Sequence, residues 1–375
     1  MNEPLDRAEL IKLCAVDSDL FGHTFFPKAM RAQSPLFSKN VWAALENPAY
    51  RLVNLELFRG ASKTPRLRIF TAKRIAYGIS RTILYVGASE GHATRSVQWL
   101  RARIESRLGA GGLPVTDLYA QTFGLSPGRK WQEHEIEIVQ RLPDGQGGWT
   151  ESVVWVLGVG ITGNIRGINF DDYRPDLIVV DDAVTDETSQ TREQCDKIAD
   201  LVMGALANSL SREEINAKLV MLNTPLNSFD VCAKAAQSVE WHTEIFGCWT
   251  KDTESAALEA QESAWPELFP TETLRKQKLA ATLDNRYSIF AREMECRLVA
   301  AEQLAFRPNW LRYIDEATLP KSMTCVLVID PVPPPSDAQI ARKMSGKDYE
   351  AISVIGRHKG DYYLLDSETN RGHDP

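Results

Sequence analysis

The sequence contains no run of about 18 or more apolar residues, so it offers no membrane-spanning helix. Its first residues, MNEPLDRAEL, lack the basic-then-apolar pattern of a secretory leader, and a cytoplasmic protein is expected. The 6 cysteines (Cys14, Cys195, Cys232, Cys248, Cys296, Cys325) are scattered with no C-x-x-C pair, and the 6 histidines form no H-E-x-x-H. A disulfide framework and a zinc centre are therefore both disfavoured. Internal repeats and low-complexity tracts are absent too. The chain also has no excess of positive charge: its net charge of -7 argues against coating nucleic acid with the whole surface, while leaving room for a local basic patch.

What is present is a globular composition, 43% hydrophobic and 25% charged over 375 residues, long enough for two domains. Between residues 50 and 250, β-rich runs alternate with amphipathic helical stretches, the pattern of a mainly parallel sheet with crossover helices. YRLVNLELF (50–58) and TILYVG (82–87) read as strands, and Val97, Leu100, Ile104 and Leu108 recur at helical spacing after them. HEIEIVQRL and ESVVWVLGVG flank PDGQGG and predict a hairpin. DLIVVDD (176–182) and AKLVMLNTP (217–225) read as strands buried on both faces. A polar, acidic stretch follows at 248–263, then helical sequence to about residue 316. A second β pattern follows at 323–332, 349–360 and 361–368. Three strands without covering helices leave a sheet face unburied, so this last domain is expected to be incomplete as given.

Three short segments could carry chemistry. In LELFRGASKTPRLRIF (55–70), a strand gives way to a small loop and then a basic helix, with Lys63 and Thr64 placed to meet phosphates at a helix N-terminus. The standard G-x-x-x-x-G-K-[ST] pattern would need glycines at Leu57 and Ser62. Gly60 and Ala61 keep the loop small, and Pro65 suits the first helical turn. The segment also fits an ordinary turn with a solvated lysine. LIVVDD ends a buried strand in Asp181 and Asp182: Asp181 suits a water-mediated Mg²⁺ ligand and Asp182 a general base or water-orienting group, with helix capping as the alternative and Asp186 competing for it. Asn223 and Thr224 end KLVML, where they could sense a γ-phosphate or merely make the turn before Pro225. The order matters: a Lys-Thr loop, an Asp-Asp strand end and an Asn-Thr strand end combine into one signal.

In that order the sequence resembles the large terminase subunits of tailed bacteriophages. Arg59, Gly60, Lys63 and Thr64 reproduce their variant phosphate loop R-G-x-x-K-[ST], with Ala61 and Ser62 between. GNIRGINFDDYRPDLIVVDD (163–182) and LNTP continue the likeness, SAWPELFP and NRYSIFAREMECR look like the segment joining motor to nuclease, and VLVIDP puts Asp330 at the first metal-binding aspartate of the nuclease. The likeness runs from about residue 20 onward. It implies an α/β fold: a RecA-like P-loop ATPase domain with a mainly parallel sheet over residues 1–250, a helical linker over 251–318, and the start of an RNase H-like α/β nuclease domain over 319–375.

The resemblance implies ATP as substrate, Mg²⁺ between Thr64 and Asp181, and Mg²⁺ or Mn²⁺ at a nuclease site begun by Asp330. Many relatives carry Asp-Glu where this chain has Asp181-Asp182, which leaves Glu187 as a rival to Asp182. A two-metal site needs several shared carboxylates; Asp348, Asp366 and Glu368 read as turn or surface residues, so little or no DNA cleavage is expected. Arg59, Arg95 and Arg166 are candidates to stabilise charge on the transferring phosphoryl group, and each also reads as a surface ion-pair partner. Contact with double-stranded DNA would run through phosphates, from the arginines of 95–107 or GRK (128–130), which also read as solvated faces. Phe25, Phe26 and Trp42 fit core packing or an adenine pocket. The implied partners are a portal protein, a small terminase subunit and sister copies in a homo-oligomeric ring, in the cytoplasm of an infected bacterial host. A helicase-like translocase and a non-catalytic DNA or capsid assembly module are the alternatives.

Overall fold

The computed structural model describes residues 7–108, 114–143, 147–163, 165, 168, 170, 172–185, 187–189, 191–298, 312, 314–330 and 350–370. The chain forms two units, Met1–Ala305 and Phe306–Pro375. In chain order the first holds α1 (Arg7–Val16), α2 (Ser18–Phe25), α3 (Ser38–Glu46), β1 (Leu52–Leu57), α4 (Lys63–Ala76), β2 (Thr82–Gly87) and α5 (Glu90–Ile104). There follow β3 (Arg107–Leu108), β4 (Pro114–Val115), α6 (Leu118–Phe123), β5 (Leu125–Trp131), β6 (Glu135–Pro143), β7 (Trp149–Gly160) and β8 (Leu177–Asp181). The remainder is α7 (Arg192–Ala199), a π-helical turn (Asp200–Leu206) running into α8 (Ala207–Ser209), β9 (Lys218–Asn223), α9 (Val231–Gln237), β10 (Trp241–Phe246), α10 (Thr271–Leu283) and α11 (Tyr287–Glu295).

Eight strands make one mixed sheet in the order β10-β1-β9-β8-β2-β7-β6-β5. The pairs from β10 to β7 are parallel and the last two are antiparallel. The central strands are apolar on both faces because helices cover both. Val53, Leu55, Tyr85, Val179 and Leu222 join the core under α4 and α5. Leu84, Val86, Ile178, Val180 and Met221 join the core under α7 and α9. The chain leaves β1 through α4 and enters β2, and β9 and β8 later fill the gap between those two strands. The loops after β1, β9, β8 and β2 therefore open side by side at one edge, where open α/β sheets bind ligands.

The predicted strands at 82–87, 176–182 and 217–225 are β2, β8 and β9, and the predicted hairpin is β6–β7, paired from Pro143 opposite Trp149. Leu108, expected on a helix, lies instead in β3, because α5 stops at Ile104. The edge strand β10, WHTEIF, has no counterpart in the sequence reading. It pairs on one side only and leaves polar residues half-exposed, so it shows no apolar run.

The segment expected as a linker supplies α10 and α11, which pack within the first unit. Their joint is a buried carboxylate, Glu295, which accepts from Lys278 Nζ (2.6 Å), Trp249 Nε1 (2.8 Å) and Tyr287 Oη (2.9 Å). A buried charge is tolerable only when paired and hydrogen-bonded in this way. The second unit contains a three-stranded antiparallel sheet of β11 (Thr324–Asp330), β12 (Glu350–His358) and β13 (Asp361–Asn370).

Candidate active site

The loop after β1 is bent by two left-handed residues, Gly60 at φ 86° and Ser62 at φ 60°. Gly60 has a second reason to be glycine: a Cβ there would lie 2.8 Å from Phe269 Cζ. The loop backbone is tied at Ala61, whose N–H donates to Phe58 O (3.1 Å), and at Arg59, whose N–H donates to Glu293 O (2.7 Å). The second bond satisfies one of the carbonyls that the end of α11 leaves without an intrahelical partner. Beneath the loop, the buried Arg66 guanidinium donates to Ala61 O (2.5 Å) and Ser38 Oγ (3.3 Å) and lies 5.6 Å from the Phe37 and Trp265 ring centroids. Burial lowers its pKa to about 10, so it stays a cation at neutral pH.

Lys63 and Thr64 open α4 and point along the strand ends. Lys63 Nζ, nearly buried, donates to Thr224 Oγ1 (2.7 Å) and Leu57 O (3.3 Å), and Thr224 Oγ1 itself donates to Leu57 O (3.1 Å). Thr64 Oγ1 donates to Asp181 Oδ1 (3.1 Å). Because β9 separates β1 from β8, Thr224 emerges between the lysine loop and the acidic strand end. Asn223 Oδ1 accepts from Ala183 N (3.2 Å), which fastens β9 to the segment just past Asp182. The four residues Lys63, Thr64, Asp181 and Thr224 thus gather at one place, and Asn223 braces it.

Asp181 is buried, and burial first, then the neighbouring Asp182, push its pKa up to about 7. Thr64, Arg68 and Lys63 pull the other way without cancelling the cost. A carboxylate in that position suits a cation. Among the described residues no three His, Cys, Asp or Glu side chains gather as a metal cluster. Asp182 is half-buried and holds a left-handed backbone at φ 43°.

Under the strand ends lies a buried polar row that the sequence reading did not single out. Glu56 on β1 stands in register with Asn223 on β9. Asn54 Nδ2 donates to Glu56 Oε1 (3.3 Å), Cys232 O (3.3 Å) and Thr243 Oγ1 (3.4 Å). Arg66 was likewise hidden in KTPRLRIF, where only its helical offset from Lys63 hints at a place under the loop.

Other candidates stand apart. Arg59 is not turned into the site: its guanidinium pairs with Glu293 Oε2 at 3.3 Å and its side chain is 78% exposed. Glu187 is exposed on the segment leading to α7, and Arg95 is exposed on α5. Arg166, Asp186 and Asp348 lie outside the described residues. Phe25, Phe26 and Trp42 are buried in the core with α4. Arg129 and Lys130 lie on β5, where Lys130 Nζ pairs with Glu135 Oε1 at 2.8 Å.

In the second unit Asp330 is exposed at the end of β11, opposite Ala351. Glu368 is opposite Ile352 and Asp366 is opposite Val354. Since directly opposed residues share a face and successive residues alternate, both carboxylates lie on the face away from Asp330. These strands do not assemble the carboxylate set that a two-metal nuclease requires.

No protein-family model matches the chain, and no curated protein does. Among solved structures it is similar to the ATPase domain of the Thermus phage P74-26 large terminase, at 12% identity over 69% of this chain and 93% of that one, with a TM-score of 0.46. It is similar also to the large terminase of the thermophilic bacteriophage D6E in complex with ADP, at 10% identity over 89% of this chain and 68% of that one, with a TM-score of 0.38. A third is the Phi-28 gp11 DNA packaging motor, at 9% identity over 76% and 74%, with a TM-score of 0.32.

Proposed function

We propose that the chain is the ATP-hydrolysing subunit of a viral DNA-packaging motor of the large terminase type. One observation carries the reading: the Lys63 ammonium and the Asp181 carboxylate, 118 positions apart in sequence, converge across β9 through Thr224 and Thr64. That convergence gives a triphosphate its cation and a divalent metal its anion at one strand edge.

Lys63 would exchange Thr224 and Leu57 O for the β- and γ-phosphates, with the N-terminus of α4 and the loop N–H groups of Gly60 and Ser62 as further donors. Thr64 and Asp181 would hold Mg²⁺, which when bound supplies charge neutralisation between the phosphates. Asp182 is the residue at the strand end that orients the attacking water, with Glu187 as its rival on the following segment. Arg59 would leave Glu293 to meet charge developing on the transferred group. Thr224 registers the outcome because it bonds both Lys63 and the β1 carbonyl, and Asn223 passes a shift in β9 to the Asp182 segment.

The substrate moved would be double-stranded DNA gripped through its phosphates. The portal protein, a small terminase subunit and sister copies in a ring would be the partners, in the cytoplasm of the bacterial host. DNA cleavage is left out of the proposal, since Asp366 and Glu368 do not face Asp330. The decisive measurement is Mg²⁺-dependent phosphate release from ATP by the protein and by Lys63→Ala. Release that the substitution abolishes is expected; release that is absent, or indifferent to it, would remove the motor reading.

A further inference from the structure

The inference concerns a residue of the same site and rests on the ATPase reading. β2 ends at Gly87, which is in register with Asp181 on β8. The chain then turns into α5, where Ser89 Oγ accepts from His92 N (3.3 Å). The His92 imidazole comes back over the strand end: a Cβ added to Gly87 would lie 2.9 Å from both Ala93 N and His92 Nδ1, so glycine leaves room for the start of α5 and for the ring. Nδ1 is buried and has no hydrogen-bond partner among the described residues.

Two turn-spaced pairs enclose the acidic strand end. On α4, Thr64 and Arg68 lie one turn apart; on α5, so do His92 and Ser96. Thr64 Oγ1 donates to Asp181 Oδ1 (3.1 Å), and Arg68 Nε donates to Ser96 Oγ (3.1 Å), which ties the helices together. The Asp181 main chain is within hydrogen-bond reach of the ring, and the charges that act on it are those of Arg95, Asp182 and Arg68. Burial, followed by Arg95, lowers the His92 pKa.

Asp182 has a left-handed backbone, at φ 43°, which costs free energy for a residue with a Cβ, although aspartate tolerates it better than most. Asn223 fixes the following residue through Ala183 N. We propose that His92 is a positioning residue for hydrolysis: its imidazole holds the Asp181–Asp182 turn, and through it the Asp182 carboxylate, in the orientation that aligns the attacking water. No proton passes through His92 in this role.

The test compares His92→Leu with His92→Gln in the full chain, with Lys63→Ala alongside. Steady-state phosphate release is read together with the affinity for a fluorescent non-hydrolysable ATP analogue. Leucine keeps bulk and removes polarity; glutamine keeps a donor and an acceptor. The expected result is a kcat about tenfold or more lower for His92→Leu, with KM and analogue affinity within about twofold, and recovery to within about threefold of the parent for His92→Gln. Equal kcat for the two variants, or a loss confined to KM and analogue affinity, would overturn the positioning role. His92→Ala carries the same comparison should His92→Leu not fold. A parent without Lys63-dependent turnover would instead bring down the ATPase reading, and the inference with it.

Discussion

Replacing Glu56 with glutamine should stabilise the ligand-free protein at neutral and higher pH while leaving phosphate release intact. Glu56 is 4% exposed and faces α9. Burial raises its carboxyl from 4.5 to about 7; the Asn54 hydrogen bond opposes that and the nearby Asp230 charge adds to it. In the unfolded chain the group ionises near 4.5, whereas in the fold it keeps its proton to about 7. Its contribution to stability is therefore fully present below about 4.5 and is lost as pH rises through 7. That interval, at about 1.4 kcal/mol per pH unit, amounts to about 3 kcal/mol. Glutamine carries no charge and still accepts from Asn54, so it escapes the loss. Urea unfolding followed by tryptophan fluorescence at pH 5, 6, 7 and 8 would measure the difference between variant and parent. We expect it to be below about 1 kcal/mol at pH 5 and to level near about 3 kcal/mol by pH 8. A difference that does not change with pH, or a variant less stable than the parent at pH 8, would refute the reasoning.

Two further substitutions probe the loop. Gly60→Ala combines an unfavourable φ with a clash against Phe269, so a loss of about 1–3 kcal/mol in thermal unfolding is expected, partly recovered when Phe269→Leu is added. Recovery to the parent's full stability would show that backbone conformation is not at issue. Arg59→Ala should change stability by less than about 1 kcal/mol, since the Arg59 side chain is largely solvated and Glu293 keeps Arg292 as a partner. Its single-turnover phosphate release should fall about tenfold or more at unchanged analogue affinity; a large stability loss with normal turnover would assign Arg59 to structure alone.

The centre of the sheet was legible because the strands buried on both faces leave unbroken apolar runs, LIVV in β8 above all, and because the residues that end them are polar. The loop was legible despite its missing glycines: Gly60 and Ser62 supply the left-handed turns, and Lys63 and Thr64 begin the helix as their order implied. What sequence order could not convey was spatial adjacency. Nothing in WHTEIF announces an edge strand, and in FRGASKTPRLRIF only a helical offset from Lys63 separates the buried Arg66 from the solvent-facing Arg59. Glu56 reads like any alternating strand position until α9 closes over it. His92 is one polar residue on a helix, and its place beside Asp181 depends on β2 and β8 being neighbours although 95 positions separate Gly87 from Asp182.

The hydrogen bonds at the end of α11 set where the chain can be divided. Arg59 N and Cys248 N donate to the carbonyls of Glu293 and Met294, both at 2.7 Å, so the last turn of a late helix is stitched to a loop formed more than 200 positions earlier. Severing the polypeptide near residue 250, where its composition changes, would strip partners from that loop and lay Phe58 open to water. The natural breaking point lies beyond Arg297, and the first unit of the molecule owns its own clasp.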